Sequence, residues 1–131
     1  MKIEKNYALP FSPNVVYAAW ISSATVIPPA TAMDIDPVVG GHYRLTAEMP
    51  GYVGKNEGEF LAVEPGKHLR YTWEWNGDGD VSEIDVTFAT SGDSTALTLV
   101  HSGFSNQESV DSHDSGWDSY INGLTEFLKA Q

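Results

Sequence analysis

Residues 97–131 read LTLVHSGFSNQESVDSHDSGWDSYINGLTEFLKAQ, and two periods meet in them. Leu97, Leu99 and His101 alternate with Thr98, Val100 and Ser102, the two-residue period of a β-strand. Beyond Gly103, Val110, Trp117, Ile121, Leu124 and Leu128 recur at three-, four- and seven-residue steps. Tyr120 and Phe127 lie beside that stripe, while Asp111, Asp114, Asp118 and Glu126 fall mostly elsewhere, so the helix has one buried face and one wet face. Ser105-Asn106-Gln107-Glu108 fits the capping-box pattern with Ser105 as the cap. A helix from there to Ala130 is about 37 Å long, enough to cross a sheet. Gly116 and Gly123 sit nearly on one side of it. Each costs roughly 1 kcal/mol relative to alanine, so both are expected to provide close approach or space.

Upstream, the punctuation marks further strands. Glu57 to Glu64, Lys67 to Trp75, Ser82 to Thr90 and Thr95 to Ser102 are separated by Pro65-Gly66, by Asn76-Gly77-Asp78-Gly79-Asp80 and by Ser91-Gly92-Asp93. Such short, turn-rich joints imply an antiparallel meander. His42 to Glu48 reads as another strand, Met49 to Lys55 as a loop, and Thr31 to Ile35 as a weaker strand candidate. At the start, Ile3, Lys5, Tyr7 and Leu9 share one side of a strand over Lys2 to Leu9. Pro10 stops it. Ser12-Pro13 then supplies a cap and a first-turn proline for a short helix over Asn14 to Ile21, with Val15, Val16, Ala19 and Trp20 buried. Pro28-Pro29 makes the following segment irregular.

The chain has 131 residues, 41% apolar composition and no cysteine. That is enough for one domain with a real core, 1–131, and it leaves no material for disulfides or thiolate metal sites. The first residues lack a signal-peptide core and no apolar run reaches membrane-span length, so a cytoplasmic protein is expected. Eighteen acidic against seven basic residues give a formal charge of −11, which argues against nucleic-acid and anionic membrane partners.

The motifs Pro37-Val38-Val39-Gly40-Gly41-His42-Tyr43-Arg44, Gly58-Glu59-Phe60, Val63-Glu64-Pro65, Leu69-Arg70-Tyr71-Thr72-Trp73, Thr98-Leu99-Val100-His101-Ser102-Gly103-Phe104 and Gly116-Trp117 follow one another in a telling order. In order and spacing the chain resembles the START-like (SRPBCC, Bet v-like helix-grip) superfamily, in the branch related to the activator of the heat-shock chaperone ATPase. The resemblance covers nearly the whole chain. It implies an α+β fold in which about six antiparallel strands curl around the long terminal helix, with short helices after the first strand. The branch commonly carries a tryptophan-rich segment after its first helix; here Trp20 is followed by ISSATVIPPATAM.

In such a fold the concave face and the helix stripe enclose a pocket. The expected ligand-facing residues are Tyr43, Tyr71, Trp73, Trp75, Phe88, Leu99, His101, His113 and Trp117, with Leu97 beside them. This is an aromatic lining with two imidazoles to orient an apolar ligand. Arg44 and Arg70 fall on the outward parity of their strands. Asn76, Asp78 and Asp80 imitate the start of a calcium loop, but Val81 and Thr87 stand where glycine and glutamate belong. The histidines at 42, 68, 101 and 113 have no metal spacing, and no cofactor is expected. Glu48, Glu57 or Glu59 would serve as a base only if buried. The leading expectation is a binder of a small hydrophobic molecule. A polyketide cyclase-like enzyme using His101 or His113, and a co-chaperone-like interaction module, are the alternatives, and an exposed sheet edge leaves room for a homodimer.

Overall fold

The alternation of Ile3, Lys5, Tyr7 and Leu9 produces β1 (Lys2–Leu9), the first element of a computed structural model that describes residues 1–131 apart from the Met49 side chain. After it come α1 (Pro13–Trp20), β2 (Ala30–Ile35), β3 (His42–Met49), β4 (Tyr52–Glu64), β5 (His68–Trp75), β6 (Ser82–Ser91), β7 (Ser94–Ser102) and α2 (Gln107–Lys129). The strands form one antiparallel sheet in the order β1-β7-β6-β5-β4-β3-β2. The strand count is seven rather than about six. The extra member is β2, which pairs with β3 as an edge strand whose register slips between Ala30 and Ala32. None of its residues is fully buried, and half-buried Met33 and Ile35 alternate with exposed Ala32 and Asp34 over only four residues, so its sequence signal is faint.

The stretch expected as a loop, Met49 to Lys55, is a hairpin. Met49 pairs with Tyr52 around Pro50-Gly51, and Gly51 has φ +90°. Proline followed by a left-handed glycine is the chemistry of a type II turn. Tyr52 and Val53 are both exposed, which hides the strand period.

Two helix details also differ from expectation. In α1 the buried residues are Val16, Tyr17, Ala19 and Trp20, while Val15 is 45% exposed. At 100° per residue the buried arc centres between Val16 and Trp20, and Val15 lies roughly 120° from it. The cap of α2 is Asn106, not Ser105: the Asn106 side chain accepts the Ser109 N–H at 2.8 Å, and the Ser105 hydroxyl donates instead to Asp80 at 2.9 Å.

Helix α2 lays Trp117, Ile121, Leu124 and Leu128 onto the sheet, against Leu69, Ile84, Val86, Leu97 and Leu99. Each fully buried aliphatic side chain contributes about 1.5–3 kcal/mol. The helix is fastened to β1 by Lys5, whose Nζ lies 3.0 Å from Asp114 Oδ1 and 3.2 Å from Asp118 Oδ1. The Tyr7 hydroxyl donates to the same Asp118 oxygen at 2.7 Å. Gly123 is where Ile27 packs against the helix: a Cβ there would lie 2.4 Å from Ile27 Cγ2. Gly116 faces open space. No helix among the described residues is long and apolar enough to cross a membrane.

Candidate functional site

Antiparallel topology decides which residues meet. The end of β5, the start of β6, the end of β7 and the start of α2 all lie at one end of the sheet. The inward side chains there are Trp73, Ser82, His101 and, from the helix, His113 and Trp117. They form a hydrogen-bonded polar cluster at the edge of the apolar core.

The hydrogen bonds fix the proton positions. The Trp117 indole N–H donates to His101 Nδ1 at 3.0 Å, so the His101 proton sits on Nε2 and is donated to Ser82 Oγ at 2.7 Å. Ser82 in turn donates to the Trp73 carbonyl at 3.4 Å. The Trp73 indole N–H donates to His113 Nε2 at 3.1 Å, and His113 Nδ1 donates to the Ser109 carbonyl at 2.7 Å. Two indoles thus hold two neutral imidazoles in opposite tautomers, with ring centroids 5.2 Å apart. His101 is fully buried. Burial, and then the neighbouring His113, push its pKa down to about 3.

Outside this cluster lies a recess of about 60 Å³. Trp73, Trp75, Phe104 and His113 give it aromatic walls, and Ser82, Ser109, Asp78 and Asp80 give it polar ones. Trp75 can lie over the sheet here because β4 has glycine beneath it: a Cβ on Gly54 would be 3.2 Å from the Trp75 ring.

Of the candidate residues, Trp73, Trp75 and His113 border this recess. Tyr43, Tyr71, Phe88, Leu99, His101 and Trp117 are each at most 6% exposed and do not border it. A chain of aromatic side chains runs between sheet and helix. Trp20 stacks on Trp117 at 6.0 Å and donates to the Tyr71 hydroxyl at 3.1 Å; Tyr71 meets Tyr43 at 5.4 Å and Phe60 at 5.6 Å. The Tyr43 hydroxyl is shared between Asn56 Oδ1 and the Thr72 carbonyl, 2.8 Å each. Phe88 borders a separate open groove of about 390 Å³ between Pro13-Asn14 and Pro65-Gly66-Lys67.

Five recess residues lie outside the candidate set, Asp78, Asp80, Ser82, Phe104 and Ser109, and of these only Ser82 is on the inward parity of a strand, in phase with Ile84, Val86 and Phe88. Four lie in or beside connections, and the signal that finds them is topological. A loop leaving Trp75 and a loop entering the terminal helix must meet at the same end of a meander. Arg44 and Arg70 are exposed and paired with Glu57 and Glu83 on the outer face. Glu48, Glu57 and Glu59 are exposed as well. Among the described residues no three His, Asp or Glu side chains converge as metal ligands.

Solved structures share this architecture. Protein MLL2253 from Mesorhizobium loti superposes with a TM-score of 0.86 at 23% identity, over 100% of this chain and 98% of that one. An AHSA1-like protein from Aeromonas hydrophila gives 0.81 at 20% identity, over 99% and 93%. DynU16, from the dynemicin biosynthetic locus, gives 0.83 at 19% identity, over 98% of this chain but 47% of its own. At these identities the likeness shows the fold. No curated protein matches the chain in sequence. Residues 10–129, however, match the family described as Activator of Hsp90 ATPase homolog 1-like protein. The chain belongs to this family, on the helix-grip (SRPBCC) fold.

Proposed function

We propose that this chain is a small-molecule-binding protein whose ligand seats in the recess between Trp73, Trp75 and His113, rather than along the length of the interior. The convergence of those three side chains on an accessible hollow is the observation that carries the reading. Ligand sites for drug-sized molecules measure about 300–1,000 Å³. A recess of about 60 Å³ suits the end of a ligand, a group of a few heavy atoms, with the remainder lying across the opening.

Catalysis is the second reading, with His113 as the acid or base of a cyclase-like enzyme, because His113 borders the recess. Both of its ring nitrogens are engaged, however, so it must give up the Trp73 bond to exchange a proton with a ligand. The Ser82–His101 contact has the length of a nucleophile–base pair but the opposite polarity. His101 donates to the hydroxyl it would have to deprotonate, because Trp117 occupies Nδ1 as a donor where a triad carboxylate would accept. Only the family's description speaks for a co-chaperone-like interaction role.

Ligand-observed fragment screening against the wild type and Trp75→Ala tests the binding reading. Binding fragments that lose about tenfold or more in affinity on Trp75→Ala, a change worth about 1.4 kcal/mol, support it. Fragments that bind both proteins equally overturn it. A fragment that is chemically converted by the wild type and not by His113→Gln moves the assignment to the enzymatic reading.

A further inference from the structure

We propose that the recess selects a small organic cation, a primary ammonium on a short apolar tail; this rests on the binding reading above and names the ligand class. Trp73 and Trp75 stand nearly perpendicular, 87° apart with centroids at 5.8 Å. The Trp73 N–H is already spent on His113, so Trp73 has no indole donor left to offer a ligand. Indole faces are the best aromatic partners for a cation.

The sign of the charge comes from Asp78 and Asp80. Neither forms an ion pair among the described residues, and none of the chain's seven lysines and arginines borders the recess. The basic residues stand elsewhere, Lys5 with Asp114 and Asp118, Arg44 with Glu57 and Arg70 with Glu83. A bound ammonium would therefore be the first counter-charge these two carboxylates meet. Each is held in place by one oxygen, Asp78 Oδ1 accepting from the Asp80 N–H at 2.8 Å and Asp80 Oδ2 from the Ser105 hydroxyl at 2.9 Å.

Other ligand classes fit less well. An anion meets two carboxylates and a chain of formal charge −11. A hard divalent ion wants six or more oxygens, and much of this wall is aromatic carbon. A primary ammonium brings three N–H donors to acceptor oxygens and a short apolar tail to the aromatic wall.

The test is a titration of the whole chain, near neutral pH and at about 50 mM salt where screening is modest. The probes are butylammonium, butan-1-ol and butyrate, three molecules of similar size and different charge. The indole ¹H–¹⁵N resonances of Trp73 and Trp75 report binding. Butylammonium is expected to shift both with about tenfold or greater preference over butan-1-ol, with butyrate silent. That preference should vanish in the double variant Asp78→Asn/Asp80→Asn, while the affinity for butan-1-ol persists. The amide that replaces the Asp78 carboxylate keeps an oxygen able to accept from the backbone N–H two residues on, so the loop retains its turn. Equal binding of butan-1-ol and butylammonium by the wild type overturns the cation assignment and leaves the binding reading intact. If no probe moves either resonance while the protein stays folded, both fall.

Discussion

The Trp117 indole N–H points at Nδ1 of His101 from 3.0 Å, and this one contact decides which nitrogen of a fully buried imidazole carries the proton. With Nδ1 accepting, Nε2 must donate, and the acceptor supplied is Ser82. A histidine so placed is satisfied only when neutral. Protonation would put a hydrogen on Nδ1, facing the Trp117 N–H, and a charge in the core.

Acid lability follows with a definite sign. The folded pKa of His101, about 3, lies below the ordinary value near 6.5 for an unfolded chain. The unfolded state therefore binds the proton first. Stability from this residue is complete above pH ~6.5 and is lost as pH falls toward the folded value, by about 2–3 kcal/mol between pH 6.5 and 4.5. Denaturant melts across that range, compared with His101→Gln, should show a shallower acid slope in the variant. Parallel slopes would contradict the assignment.

Two tyrosine-to-phenylalanine changes should act in opposite directions. The Tyr71 hydroxyl accepts from the buried Trp20 N–H, so Tyr71→Phe strands that donor and should cost about 1–3 kcal/mol. The Tyr17 hydroxyl is buried with no partner among the described residues. Tyr17→Phe removes an unsatisfied group and should be neutral or stabilising by up to about 1 kcal/mol. Urea unfolding of both variants is the check.

The two glycines of α2 give a second opposed pair. Gly116→Ala fills open space in a helix interior and should stabilise by about 0.5–1 kcal/mol. Gly123→Ala gains the same propensity but drives a methyl into Ile27. Overpacking of about 1–3 kcal/mol should outweigh it. Thermal melts that ranked Gly123→Ala above wild type would show that Ile27 yields freely.

Much of this was legible from residue periods. Alternation along 97–102 places Leu97, Leu99 and His101 on the core side, and the helical stripe brings Trp117 and His113 toward them. Periodicity cannot weigh volume, however. It places Tyr43, Tyr71 and Trp73 on a concave face without revealing that Trp20, from the first helix, reaches in to Tyr71 and Trp117. Nor does it find the recess residues in connections. The Asp78–Asp80 loop resembles a failed calcium site in isolation, and acquires a role only when β5, β6 and α2 are seen to end together. The edge strand β2 is faint because none of its residues is fully buried, and the hairpin at Pro50-Gly51 because Tyr52 and Val53 are both exposed.

Long-range ¹H–¹⁵N spectra of the imidazole rings test whether His101 and His113 are neutral and locked by indoles in opposite tautomers. The hydrogen bonds place the proton of His101 on Nε2 and that of His113 on Nδ1, so each ring is expected as that single tautomer. His101 found as the Nδ1–H tautomer or as imidazolium would contradict it.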